Sequence, residues 1–210
     1  MIDTVIFDMD GTLLNTLEDL KESINFALLK LGFNIRTKEE VRLFVGNGVR
    51  MLCERAVPDN TPKEIVDKCE KLFKEHYSKN LYNNTAPYNG IIEILRELKG
   101  DGVKIAVVSN KFDKAVKTLC DKYFKNLIEI SVGQSEEISP KPSPDGVLKV
   151  MKELNSKNAV MVGDSDVDIQ TAINSKIPSI GVKWGFRENL NNASVVINSP
   201  NELIKAIRSF

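Results

Sequence analysis

The stretch VIFDMDGTLLN, Val5 to Asn15, decides how the rest of the chain is read. Val5, Ile6 and Phe7 form an apolar run with a strong preference for strand. The run ends at Asp8, and Gly11 three residues on signals a turn. Side chains two apart on an extended chain point to the same side. Strand geometry carried past Asp8 therefore aims Asp8 and Asp10 at one point beyond the strand's C-terminal end. Two carboxylates held together repel, and one takes up a proton unless a cation is close. A site that keeps both charged needs a divalent metal, a Lys or Arg, or both. The competing reading is a pair of turn aspartates bonded to their own backbone. A calcium loop of the EF-hand type fits poorly. It wants Gly at its sixth position and Glu at its twelfth, whereas Gly11 is fourth from Asp8 and a strand leads in.

Beyond Asn15 the apolar period changes from two to that of a helix. Leu17, Leu20, Ile24, Ala27, Leu28 and Leu31 recur at helical spacings, and Gly32 is a stop. Shorter helices are predicted over 37–44 and 49–57, separated by Gly46-Asn47-Gly48. Another runs over 65–77, with Pro62 at its start and Thr61 as its N-cap. Residues 15–82 thus read as an all-helical insert, and 1–14 with 83–210 as the core around it. From Pro87 helices and strands alternate. Strands are predicted over 103–108, 128–132, 159–162, 179–182 and 195–197. Helices fall over 90–99, 113–124, 145–154, 168–175 and 200–207. That alternation implies an α/β fold, a doubly wound and mostly parallel sheet. Ligands of such sheets bind beyond the C-terminal strand ends.

Lys plus Arg and Asp plus Glu are equal at 29 each, so no global field draws in nucleic acid or an acidic membrane surface. No apolar run approaches the length of a membrane span. Asp3, Asp8 and Asp10 stand where a signal peptide would carry positive charge. Cys53, Cys69 and Cys120 are odd in number and lack CxxC spacing, which argues against a disulfide framework or zinc site and suits a reducing cytoplasm.

The strand ends carry the chemistry. IAVVSNK delivers Ser109, Asn110 and Lys111, where Ser or Asn can donate to a phosphate oxygen or cap the next helix. Lys141 stands between prolines in SPKPSP, which stiffens its backbone and favours a positioned charge over a solvated one. AVMV leads into Gly163-Asp164-Ser165-Asp166-Val167-Asp168. Counted from Asp164, Ile169 and Ser175 occupy the Gly and Glu positions of a calcium loop, so that reading fails again. A third source of carboxylate beside Asp8 and Asp10 is what an oxygen-lined octahedral site requires, and such a site favours Mg2+. Asp166 and Asp168 also suit the first turn of a helix, where its dipole favours negative charge. Gly46-Asn47-Gly48 is a weak phosphate-loop signal, since no strand precedes it. His76 is the single histidine and lies on a helix, which excludes a His-based triad.

DMDGTL at 8–13, VSN at 108–110, Lys141 in SPKPSP and GDSDVD at 163–168, in that order, resemble the haloacid dehalogenase-like hydrolases over essentially the whole chain. FVGNGV at 44–49, PYNG at 87–90, SNK, KPSP and VKWGF at 182–186 are most similar to the phosphoglycolate phosphatases of that superfamily. NSKIP at 174–178 departs from them, because many relatives carry Ala-Gly there. The resemblance implies a Rossmann-like core with a small helical cap. It implies a Mg2+-dependent phosphatase of a small phosphorylated metabolite, cytoplasmic, a monomer or homodimer, with no nucleic-acid or membrane partner. Asp8 would be the nucleophile and a metal ligand. Asp10 would lend its main-chain oxygen to the metal and serve as acid, then base. Gly11 would let the backbone approach the phosphoryl group, Ser109 and Asn110 would bind it, and Lys141 would neutralise charge. Asp164 would bind metal, with Asp168 behind it. Asn47 and Arg50 in the cap would contact the substrate's organic end. A phosphosugar mutase, a pyrophosphatase and a non-catalytic phosphate-binding module are the competing expectations.

Overall fold

The computed structural model describes residues 1–187 and 189–210. Its main sheet has six strands in the order β5-β4-β1-β6-β7-β8: Ile130–Gln134, Lys104–Phe112, Thr4–Phe7, Ala159–Gly163, Ser179–Val182 and Val195–Ile197. Every neighbouring pair runs parallel. The VIF run is continuous because β1 is buried on both faces. Val5 and Phe7 enter one apolar cluster, and Ile6 enters the other with Ala106, Val108 and Met161. From β1 the chain builds outward through β4 to β5, then returns to the far side of β1 for β6 to β8. The order reverses at β1, so the crevice of the fold opens at the ends of β1, β4 and β6.

The chain leaves the core through β2 (Leu14–Asn15) and returns through β3 (Ala86–Pro87), which pair antiparallel. Between them lie α1 (Leu17–Lys30), α2 (Lys38–Phe44), α3 (Gly48–Ala56) and α4 (Lys63–Asn80), which form a cap. Thr37 and Glu40 close a capping box on α2. At α4 the expectation shifts by one residue. Pro62 is itself the N-cap, and the Thr61 hydroxyl donates to the Pro58 carbonyl. No helix among the described residues is long and apolar enough to cross a membrane.

The two-strand stalk went unread in the sequence, since two-residue strands carry no periodicity. Asp19, in the first turn of α1 and buried, secures it. Its carboxylate accepts from the backbone N–H of Asn84 and of Thr85, from the Asn84 side-chain amide and from the Thr85 hydroxyl, at 2.7–3.1 Å. Asp19→Ala leaves those donors unpaired. It should lower the unfolding free energy by about 2–4 kcal/mol, read as a shift of the midpoint in urea denaturation.

Candidate active site

Asp8 sits one residue past β1, yet its N–H still donates to Val162 O at 2.9 Å, so the ladder carries it to the crevice. Gly11, at φ +83°, turns the chain and donates to Leu14 O. Asp8 and Asp10 line one cavity of about 50 Å³ with Ser109, Lys111 and Asp164. Each carboxylate has its own lysine. Lys141 Nζ lies 2.8 Å from Asp8, and Lys111 Nζ lies 2.9 and 3.1 Å from the two oxygens of Asp10.

Strand β4 differs from the expectation. It continues through Phe112, and a bulge opens its register against β5 between Val108 and Phe112. Bulges re-aim side chains beside active sites. Here the bulge puts Ser109, Asn110 and Lys111 at the crevice within a strand instead of after one. Helix α6 (Asp113–Tyr123) begins after them with no side-chain cap, so none of the three caps it. Asn110, expected to bind phosphate, spends its side chain on backbone. Its amide donates to Lys141 O at 3.0 Å and Gly46 O at 3.1 Å, and its carbonyl accepts from Lys141 N at 2.7 Å. Ser109 lines the cavity, and its hydroxyl accepts from Lys111 N at 3.4 Å.

Asp168 opens α8 (Asp166–Ser175) and does two things at once. One oxygen closes a capping box with Ser165, and the other accepts from Lys141 at 2.6 Å. Asp164 lies in a cradle of glycines. A Cβ on Gly11 would fall 2.3 Å from its carboxylate, and one on Gly185 would fall 2.2 Å from its Cβ. Its oxygens accept from the Thr12 hydroxyl and from Phe186 N–H. Oxygens of Asp8, Asp164 and Asp168 lie within 4.8 Å of one another, all buried. Burial first, then the charge of Asp168, pushes the Asp164 carboxyl well above the usual range. Burial pushes Asp8 up to about 6, against the pull of Lys141. Burial opposes the Lys141 charge, but Asp168 and Asp8 outweigh it and raise its pKa. One lysine among three carboxylates leaves excess negative charge in an all-oxygen donor set. That is an environment a hard divalent cation fits. Asp168 is already committed to Lys141 and Ser165, and each Asp164 oxygen accepts a single neutral hydrogen bond, so Asp8 and Asp164 keep the lone pairs a cation can use.

The cap residues divide. Gly46 and Gly48 line the cavity, whereas Asn47 sits at the α3 N-cap without a side-chain hydrogen bond there. Arg50 turns toward Glu54, Asp67 and Glu70 on the cap's own surface and does not line the cavity. Residues given no role in the sequence reading do reach the site. Arg187 donates to the carbonyls of Arg42, Leu43 and Val45, and Arg42 donates back to Phe186 O, which latches the loop after β7 to the cap. Tyr77 of α4 reaches down to Lys111, whose Nζ lies 4.5 Å from the ring centroid. Lys111 was legible as part of SNK. Tyr77 showed only the apolar period of its helix.

A crevice at the ends of a parallel sheet, with clustered carboxylates under a helical cap, defines a hydrolase of the haloacid dehalogenase type. The sequence model of the haloacid dehalogenase-like hydrolases matches residues 5–182, and the chain belongs to that family. It is similar to the phosphoglycolate phosphatase of Aquifex aeolicus (strain VF5), 31% identical over 96% of this chain and 94% of that one. It is also similar to the phosphoglycolate phosphatase of Psychrobacter arcticus, 33% identical over 87% and 84%. A crystal structure of a predicted phosphoglycolate phosphatase from Haemophilus somnus 129PT superposes with a TM-score of 0.91, 26% identity and 98% coverage of both chains. Family and carboxylate cluster together make the chain a phosphoric monoester hydrolase.

Gly185→Ala tests the cradle. The added methyl group should displace the Asp164 carboxylate and weaken divalent-cation binding by about tenfold or more, measured by calorimetric titration with Mg2+. Unchanged affinity would remove Asp164 from the cation site.

Proposed function

We propose that the chain hydrolyses a short phosphate monoester, 2-phosphoglycolate in the first place, through a phosphoryl group carried on Asp8. The observation that carries this reading is the separate pairing of the two carboxylates in one cavity. Asp8 lies against Lys141, and Asp10 against Lys111. A group that attacks and a group that moves protons act separately, and here each has its own position and its own counter-charge.

In the first half-reaction an Asp8 oxygen attacks phosphorus, and the bond to the ester oxygen breaks. Asp10 gives its proton to the departing alkoxide. In the second, Asp10 takes a proton from water, the water oxygen attacks phosphorus, and the Asp8–phosphorus bond breaks to release inorganic phosphate. Ser109 donates to a phosphoryl oxygen. Lys141 offsets charge on Asp8 and the phosphoryl group, while Asp168 holds Lys141 in place. Asn110 positions Lys141 through the backbone. Asp8, Asp164 and the main-chain oxygen of Asp10 would hold Mg2+, which supplies positive charge to the phosphoryl oxygens. Accelerations of phosphate monoester hydrolysis reach ~10²¹, or roughly 28 kcal/mol, so no single group among these suffices.

Substrate size follows from the cavity. About 50 Å³ has room for several water-sized groups, which suits a two-carbon acid better than a hexose phosphate. Relatives named for phosphoglycolate span nearly the whole chain, cap included. Both lines weigh against the sugar-phosphate mutase.

Phosphate release from 2-phosphoglycolate, a hexose 1-phosphate and pyrophosphate, each with Mg2+ and with EDTA, tests the reading. Release should be fastest from 2-phosphoglycolate and abolished by EDTA. Asp8→Asn should cost about a thousandfold or more in kcat, as loss of a covalent nucleophile does. A variant that keeps a tenth of the activity would remove Asp8 from that role.

A further inference from the structure

Lys111 and Tyr77 form a part of the cavity wall that the phosphoryl chemistry leaves with unspent donors. Lys111 is 5% exposed and Tyr77 is fully buried, and both line the cavity. An ammonium has three N–H donors. Asp10 engages the Lys111 charge through its two oxygens, and the Tyr77 ring lies under the ammonium face at 4.5 Å. At least one N–H remains. The Tyr77 hydroxyl is buried and has no hydrogen-bond partner among the described residues. Leaving such a group unpaired is costly, and native structures seldom do so without a use. Packing does not explain it. Tyr77 stacks on Phe73 at 5.4 Å and meets Phe112 edge-on, contacts that a phenylalanine would make equally well.

The surroundings say what these donors face. Much of the rest of the cavity wall is apolar, from Leu20, Val49, Leu52, Phe73 and Phe112. Such walls offer nothing to a hydroxylated tail and exclude water from an ion pair, which strengthens it. Lys111 stands on β4 two residues past Ser109, so the phosphoryl end and this end of the cavity are read from one strand. Tyr77 comes from the cap, so the pair is complete only when cap and core meet.

We propose that Lys111 and Tyr77 form a subsite for a carboxylate on the organic end of the substrate, one oxygen taking a Lys111 N–H and the other the Tyr77 hydroxyl. This rests on the phosphatase reading and names the feature of the ester that the cap selects. Phosphate esters with a neutral tail of the same size lack the group these donors require. A hydrogen-bonding site rejects an analogue that leaves its donors unpaired more strongly than an apolar pocket rejects an extra methylene.

The test is binding without turnover. In Asp8→Asn protein with Mg2+, calorimetry compares 2-phosphoglycolate with ethyl phosphate, which keeps the phosphoryl group and the two carbons but not the charge. The first should bind about tenfold tighter or more, the size of a charge-assisted hydrogen bond. Adding Tyr77→Phe keeps the ring contacts to Phe73, Phe112 and the Lys111 ammonium and removes a hydroxyl with no hydrogen-bond partner among the described residues, so the fold persists, and the ratio should narrow to about threefold or less. Lys111→Met should narrow it as well. Equal affinities for the two esters, or a ratio unmoved by Tyr77→Phe, overturns the subsite. Tight, Tyr77-dependent binding with no phosphate release by the wild-type protein would keep the subsite and overturn the phosphatase.

Discussion

Lys141 is the charge on which the catalytic edge of the sheet depends. Its ammonium bridges Asp8 beyond β1 and Asp168 at the start of α8, and its backbone is bonded to Asn110 on β4. Three elements distant in sequence meet on one residue. Without it, Asp8, Asp164 and Asp168 would be buried together with no counter-charge in their midst. Breaking a buried pair by removing one partner costs about 3–5 kcal/mol, while replacing the whole set by apolar groups is often neutral or favourable. Stability alone therefore does not account for this cluster. It is kept for its charge, and its cost is carried by the buried strands beneath it.

The same economy explains the glycines. Gly11, Gly163 and Gly185 each lie where a Cβ would collide with Asp164 or Asp168. The backbone closes on these carboxylates from three directions and leaves them few rotamers. Positioning to within a fraction of an ångström is what electrostatic catalysis requires of its donors and charges. Lys141 is held in the same spirit by its flanking prolines and by Asn110. Asn110 also donates to the cap at Gly46 O, so the residue that fixes the lysine ties it to the cap as well.

What the sequence revealed followed from how local each signal is. A strand buried on both faces is a continuous apolar run, and an acidic residue at its end stands out, so Asp8, Asp164 and the alternating core were legible. Lys141 was legible because prolines mark its loop. The bulge in β4 left no local trace, since it depends on how Val132 and Gln134 on β5 register against β4. Asn110 looked like a ligand for phosphate because side-chain bonds to remote backbone cannot be read from spacing. Arg50 looked available for the same reason, although acidic partners on α3 and α4 claim it. Tyr77 was the hardest, because its helix period predicts burial and says nothing of the lysine beneath it.

The side chains of Arg187 and Asn110 hold the cap on the core through its main chain. Arg187 and Asn110 reach from the core to carbonyl oxygens of residues 42–46, so they read the path of the cap backbone and not its side chains. Substitution on α3 or α4 leaves those acceptors in place. Each such bond nets about 0.5–1.5 kcal/mol, a small fraction of the 5–15 kcal/mol that typically separates folded from unfolded domains. The side-chain bonds of Asp19 to Asn84 and Thr85 secure the stalk between the two parts. Where cap meets core, Tyr77 of α4 sits over Lys111 of β4. The clustered carboxylates and their lysines belong to the core, and the rest of the cavity wall is built where cap and core meet.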